Sequence, residues 1–192
     1  MNFDQFRELL VSDRSIRRFK EAERVGHDTL LKLVELTRYC ASGRNLQPLR
    51  YKLVSAREEC ERVFPLLKWA GYLSDWDGPV PGERPSAYLV QCLDTAITTD
   101  CLCDDGLQLQ AITLGAAALG IGGCIIKSFN APLLKKELEL PERVAPLYVL
   151  ALGYPLEKVV VEKAADTSDI RYYRTPDEVH HVPKRLLEEL IL

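Results

Sequence analysis

The sequence predicts an α+β protein with helices packed around one sheet. Three observations predict it. Apolar segments of strand length and segments with helical periodicity are interspersed along the chain without a clean strand–helix alternation. The 192 residues make one domain at roughly 150 residues per domain, and a chain of this size buries roughly 70% of its extended surface. Apolar residues are 47% and charged residues 28% of the chain, which excludes disorder and supplies a core without disulfide or metal staples.

Phe3, Phe6 and Leu10 recur at helical spacing, so residues 2–12 form an amphipathic helix, followed by a basic loop from Ser12 to Lys20. Asp28 is placed to cap a second helix that runs through Tyr39 on Leu30, Leu31 and Val34. Ala41 to Pro48 is a polar loop, and Tyr51 to Ser55 a short strand. Glu58 to Ala70 is helical, with Pro65 as a point of interruption. Glycines and prolines make residues 71–86 a long irregular loop, the kind that is usually functional. Ala87 to Leu93 is a buried strand. A central helix runs from Leu107 to Leu119 behind Asp104 and Asp105, where acidic groups suit a helix N-terminus. The glycine-rich segment Gly120 to Gly123 breaks it as a loop. Lys135 to Leu138 is a short helix, and Val144 to Leu152 an apolar strand that ends at Gly153-Tyr154-Pro155. From about Lys158 the tail is polar and turn-rich, closing on the apolar run Leu186 to Leu192.

A net charge of −3 excludes a general nucleic-acid-binding surface. Residues 107–126 lack charge over the length of a membrane span, but their glutamines and glycines mark a buried helix instead. The N-terminus has no basic flank and no apolar h-region, so a cytoplasmic location is expected, with the six cysteines reduced. Cys101 and Cys103 lack zinc spacing. His180 and His181, adjacent on an extended segment, point to opposite faces and cannot share a metal. No metal site is expected.

Three segments carry candidate chemistry. Arg14-Ser15-Ile16-Arg17-Arg18-Phe19-Lys20 gathers four cations and a hydroxyl, suited to a phosphate or carboxylate; a solvated basic loop is the plain alternative. Ala41-Ser42-Gly43-Arg44-Asn45-Leu46-Gln47-Pro48 offers close backbone approach, with amide donors and acceptors for a heterocycle edge. An ordinary turn has the same composition. In Gly120 to Lys127, backbone amides after the glycines can face a ligand. No fingerprint for dinucleotide or P-loop phosphate binding is present. Trp69, Tyr72 and Trp76 flank the irregular loop as core residues or as lining of a substrate pocket.

In this order the segments resemble the FMN-dependent nitroreductase family. Its R-S-x-R-x-F segment corresponds to Arg14 to Phe19, its P-S-x-x-N-x-Q-P loop to Ala41 to Pro48, and its glycine turn after a buried helix to Leu119 to Cys124. Its L-G-Y-P strand end and its C-terminal basic pair correspond to Leu152 to Pro155 and Lys184-Arg185. The resemblance spans nearly the whole chain, read as a single domain over residues 1–192. It implies a central, mostly antiparallel sheet flanked by helices, and a homodimer with FMN at the interface and C-terminal extensions exchanged. Arg14, Ser15, Arg17, Lys184 and Arg185 would hold the phosphate and the pyrimidine edge, with Arg17 stabilising the reduced flavin. Ala41, Ser42, Gly43, Asn45 and Gln47 would reach the flavin of the other subunit. Backbone amides of Cys124, Ile125, Ile126 and Lys127 would lie over flavin N5. The implied activity is ping-pong hydride transfer from NAD(P)H through the flavin to a nitroaromatic, a quinone or another acceptor. Flavin storage or sensing is the non-enzymatic alternative, and flavin-cleaving or dehalogenating relatives share the fold. Two positions depart from the pattern: Asp13 stands where a second arginine is usual, leaving one phosphate contact open, and Ala41 stands where proline is usual.

Overall fold

The computed structural model describes residues 1–166 and 168–192. Four antiparallel strands form the main sheet: β1 (Leu49–Val54), β2 (Ala87–Asp94), β3 (Gly122–Ile126) and β4 (Val144–Gly153), in the order β1-β2-β4-β3. β2 is buried along its whole length, which is why it reads as a nearly unbroken apolar run. Alternation along β2 divides the core. Tyr88, Val90 and Cys92 face Val63, Leu134 and Phe19 on one side, while Ala87 and Leu89 face Leu30, Leu33, Ile112 and Ala116 on the other. Helices α3 (Arg57–Val63) and α5 (Ala131–Glu137) therefore cover the first face. Helices α2 (His27–Glu35) and α4 (Asp104–Ala118) cover the second.

Helix α1 (Phe3–Ser12) is closed by a capping box between Asn2 and Gln5 and lies against α4. None of its residues is fully buried, and Phe3 is exposed.

Several boundaries differ from the sequence reading. Helix α2 is capped by Gly26 rather than Asp28, which sits inside its first turn, and tightens into a 3-10 turn over Leu36–Tyr39. Helix α3 ends at Val63. Pro65 can occupy the first turn of a helix but not its interior, so Phe64–Leu66 forms a separate 3-10 turn and the chain then runs extended at Leu67. Helix α4 begins at Asp104, three residues earlier than its apolar run. Helix α5 begins at Ala131 because the Asn130 side chain accepts from Leu133 N–H at 3.2 Å and Pro132 sits in the first turn.

The glycine-rich segment is a strand rather than a loop. The turn is confined to Gly120, at φ 72°, and pairing with β4 resumes at Gly122. The tail also contains more order than its composition suggests. Strands β5 (Val159–Lys163), β6 (Tyr173–Arg174) and β7 (His180–Lys184) form a small sheet in the order β5-β7-β6, with β5 and β7 parallel. Residues 71–86 are irregular, as predicted. Among the described residues, no helix is long and apolar enough to cross a membrane, and no cluster of His, Cys, Asp and Glu is placed to hold a metal.

Candidate functional site

The end of α1 delivers the first candidate segment to the outer edge of β3. Ser15 bridges Gly123 in parallel, and the Ile16 N–H donates to the Gly123 carbonyl at 2.9 Å. That bond fixes the direction of the edge. Gly123 and, two residues on, Ile125 turn their backbone groups away from β4 and toward the free side. The close approach needs glycine: a Cβ on Gly122 would lie 2.6 Å from Ile16 Cγ1, and one on Gly153 would lie 2.8 Å from Phe19 Cδ1.

A cavity of about 190 Å³ opens beside this edge, lined by Asp13, Arg14, Ser15, Gln110, Thr113, Gly123 and Ile125. Asp13 closes α1, its N–H donating to the Leu9 carbonyl. Its Oδ2 accepts from Gln110 Nε2 at 2.7 Å and from Thr113 Oγ1 at 2.7 Å. Arg14 donates through Nη2 to the Leu10 carbonyl at 2.7 Å, while its Nε is buried without a partner among the described residues. Arg14 also lines the cavity, bringing a guanidinium charge to its wall.

The other arginines of the segment are engaged elsewhere. Arg17 is buried. Its Nη1 donates to His180 Nε2 at 3.1 Å, and its guanidinium lies 4.7 Å from the centre of the Tyr172 ring. Backbone N–H groups of Arg17 and Arg18 donate to Glu157 Oε1, and Arg174 donates to Glu157 Oε2 at 2.8 Å. Arg18 pairs with Glu83 and Glu178. Burial, reinforced by the charges of Arg17 and Arg174, lowers His180 to about 4. Arg174 also lies 4.8 Å from the Trp76 ring centre, and Tyr172 packs on Tyr72 at 5.0 Å. The basic segment thus splits. Arg14 and Ser15 face the cavity, whereas Arg17 and Arg18 clasp the tail and the irregular loop.

Of the residues after the glycines, Ile125 reaches the cavity. Cys124 and Ile126 turn their side chains into the core, and burial pushes the Cys124 thiol up. Lys127 is exposed and donates to Tyr148 Oη at 3.3 Å.

The second candidate segment lies at the N-terminal end of α4. Ser42 Oγ donates to Asp104 Oδ2 at 2.6 Å, and the Gly43 N–H donates to Asp104 Oδ1 at 2.9 Å. The Gln47 N–H donates back to Ser42 Oγ at 2.9 Å. Ser42 and Gly43 therefore shape the loop, and Ala41 is exposed beside them. Arg44, Asn45 and Gln47 adopt left-handed backbone at φ 53°, 55° and 49°, a concentration of strain of the sort found at ligand sites. Asn45 and Gln47 are exposed on a cavity of about 550 Å³ whose walls include Leu31, Cys40, Tyr51 and Gln108. Beneath it, fully buried Gln91 donates to Tyr51 Oη at 2.9 Å, and Tyr51 donates to Gln108 Oε1 at 2.8 Å.

Lys184 and Arg185 line neither cavity. Lys184 ends β7 opposite Lys163 and is exposed. Trp69 packs against Phe64 and closely over Gly78.

Sequence reasoning did not single out Asp13 as a cavity residue, nor Tyr51, Gln91, Asp104 and Gln108. One signal was present: Gln91 is a lone amide in an otherwise apolar strand.

The comparisons agree with this fold. An Archaeoglobus fulgidus relative, named as a candidate NADH dehydrogenase/NAD(P)H nitroreductase, is 24% identical over 184 residues, covering 90% of this chain and 94% of its own. The NADPH:FMN oxidoreductase from Vibrio harveyi, solved with NAD+, superposes with a TM-score of 0.65 at 22% identity, over 84% of this chain and 73% of its own. An FMN-dependent nitroreductase from Clostridium difficile R20291 also gives 0.65 at 22% identity, over 84% and 92%. The family model for the Nitroreductase family matches residues 11–77 and 103–154, segments that hold both cavities' loops, α4, β3 and β4, and the chain belongs to that family.

Proposed function

We propose that the protein is an NAD(P)H-dependent flavin oxidoreductase that holds FMN between two copies of itself. One observation carries the reading: the candidate site is divided across α4. Gln110 and Thr113 hold the Asp13–Ser15 corner, while Asp104 holds the loop bearing Asn45 and Gln47, and none of the described residues lines both cavities. Each half is incomplete within one chain, and a second copy brings the missing half. The surfaces for such pairing are present. Phe3, Leu107 and Leu119 are exposed, as are Leu187, Leu190, Ile191 and Leu192 at the end of the tail, and exposed apolar groups in this number mark an interface.

The residues fit a flavin's ring edge and its polyol arm. Arg14 would supply its guanidinium charge, Ser15 a hydroxyl, and Ile125 a backbone N–H on the strand edge. Arg14 would take the role expected of Arg17, since a guanidinium near a flavin's ring edge would favour negative charge there and never deprotonates. Asn45 and Gln47 of the second copy would meet the heterocycle with amide donors and acceptors. Their strained backbone, anchored by Asp104, presents them without further ordering cost. The flavin supplies hydride acceptance from NAD(P)H and delivery to a nitroaromatic, quinone or similar acceptor in ping-pong exchange. Names of the relatives, an NADPH:FMN oxidoreductase and an FMN-dependent nitroreductase, support the same chemistry. Six free cysteines suit a cytoplasmic, reducing setting.

The test is NAD(P)H consumption by the flavin-loaded protein with added quinone or nitroaromatic. Turnover is expected, and Arg14→Ala should weaken flavin binding by about 10- to 100-fold. A flavin-loaded protein that oxidises no NAD(P)H with any acceptor would be a flavin store or sensor instead.

A further inference from the structure

Beneath the larger cavity, three side chains form a hydrogen-bond relay whose direction is fixed from one end. Gln91 is fully buried in β2, opposite Tyr51 in the register of β1 and β2. Its Nε2 donates one hydrogen to the Asp105 carbonyl at 3.2 Å. A backbone carbonyl only accepts, so the amide nitrogen and not the amide oxygen of Gln91 must face it. The second Nε2 hydrogen goes to Tyr51 Oη at 2.9 Å. The Tyr51 hydroxyl accepts there, so its single proton goes to Gln108 Oε1 at 2.8 Å. Turning the Gln108 amide over would leave that proton without an acceptor. Gln108 Oε1 is thus engaged, and Gln108 Nε2 has no partner among the described residues. The residue is 5% exposed and lines the cavity of about 550 Å³. Its Nε2 is not sealed from solvent, as the Gln91 oxygen is, and so opens on that cavity.

The relay therefore presents an uncharged N–H donor, held in one orientation, at the floor of the cavity. Leu31, Val34, Leu49 and the Tyr51 ring wall it, surfaces suited to a flat conjugated ring. Asn45 and Gln47 stand exposed at the mouth, above the buried Gln108. A heterocycle met at the mouth by Asn45 and Gln47 leaves the floor to the molecule that lies against it. The group that matches an N–H donor there is an oxygen that only accepts, such as a quinone carbonyl or a nitro oxygen. We propose that Gln108 is a specificity-determining donor for the ring oxygen of the electron acceptor. Tyr51 and Gln91 are its positioning residues, keeping the amide nitrogen turned to the cavity. This rests on the flavin reading above and narrows it to acceptors with a carbonyl or nitro oxygen on a flat ring. All three side chains and the Asp105 carbonyl belong to one copy, so the direction of the relay does not depend on how two copies pair.

The experiment follows NAD(P)H oxidation by the flavin-loaded, full-length protein with benzoquinone and with ferricyanide, which takes electrons without a ring oxygen. Wild type, Gln108→Met and Tyr51→Phe are compared by the ratio of kcat/KM for quinone to that for ferricyanide. Flavin affinity is measured alongside by fluorescence quenching. Gln108→Met keeps the length of the side chain and removes the donor, so the ratio should fall about tenfold. Tyr51→Phe keeps the ring and frees the Gln108 amide to turn over, so the ratio should fall about threefold. The Tyr51 variant decides the matter if Gln108→Met does not fold. A ratio unmoved in a folded variant overturns the inference and leaves the flavin reading intact. A flavin affinity that falls by tenfold in Gln108→Met with the ratio unmoved assigns the donor to the flavin's own ring, and overturns it too. A flavin-loaded wild type that oxidises NAD(P)H with neither acceptor overturns the oxidoreductase reading, and this inference with it.

Discussion

His180 makes the fold sensitive to acid in a way that one substitution isolates. The residue is 1% exposed, its Nε2 accepts from Arg17, and its Nδ1 is buried without a partner among the described residues. Because Nε2 faces a guanidinium that stays protonated, the ring's single proton sits on Nδ1. The groups around it, Arg17, Arg174 and His181, oppose a second proton, and burial opposes it more. The ring thus titrates at about 4 when folded, against 6.5 when unfolded. The unfolded chain takes up the proton first as the pH falls. The stability contributed by the neutral ring is fully present above pH 6.5 and is lost as the pH drops toward 4. The loss is about 2 kcal/mol between pH 7 and pH 5, and about 3 kcal/mol by pH 4. Urea unfolding at fixed protein concentration reads it, with Trp69 and Trp76 as reporters. Carboxylates elsewhere also titrate as the solution is acidified, so the quantity to compare is the pH 7-to-5 loss in wild type against that in His180→Gln. Gln keeps an acceptor for Arg17 and does not titrate. Wild type should lose about 2 kcal/mol more than the variant. Equal losses in the two proteins would refute a neutral, buried His180.

Glu157 should be the costliest single residue of the clasp. Its carboxylate side chain is fully buried, holds two backbone N–H groups and pairs with Arg174, so Glu157→Ala should destabilise by about 3–5 kcal/mol and expose residues 168–179 to limited proteolysis; a cost below about 1 kcal/mol would mean the clasp does not form. Two glycines should respond in opposite directions. Gly122→Ala crowds Ile16 and should cost about 1–3 kcal/mol, whereas Gly106→Ala, in α4 with open space around it, should be neutral or gain up to about 1 kcal/mol in thermal unfolding. Deleting residues 182–192 should lower the solution mass to that of a monomer and reduce flavin content together. A truncated protein that stays a flavin-loaded dimer would contradict the site shared between copies.

The main sheet and its helices were legible because burial shapes composition. β2 and β4 are central strands and read as largely apolar runs, α2 shows spaced apolar positions, and α4 is apolar on most faces. The small tail sheet was not legible. Its strands are short and half-exposed, and its stability comes from partners distant in sequence: Glu157 to Arg17, and His180 to Arg17 across the length of the chain. The same long-range contacts explain why the basic segment could be found but not apportioned. Arg14, Arg17 and Arg18 are alike in sequence, and only the position of Glu157, His180 and Glu83 decides which of them face a cavity. Loop 41–48 announced itself through Ser, Gly and Asn. Its anchor, Asp104, did not, because an acidic residue at the start of a helix is ordinary.

The central claim is that this fold holds a flavin that accepts hydride from NAD(P)H. The visible absorption spectrum of the purified full-length protein, before and after anaerobic addition of NAD(P)H, tests it most directly. The account predicts flavin bands that bleach on addition and reappear with a quinone, and a flavin released on denaturation that lacks an adenylate. A colourless protein that takes up neither FMN nor riboflavin on reconstitution would contradict it.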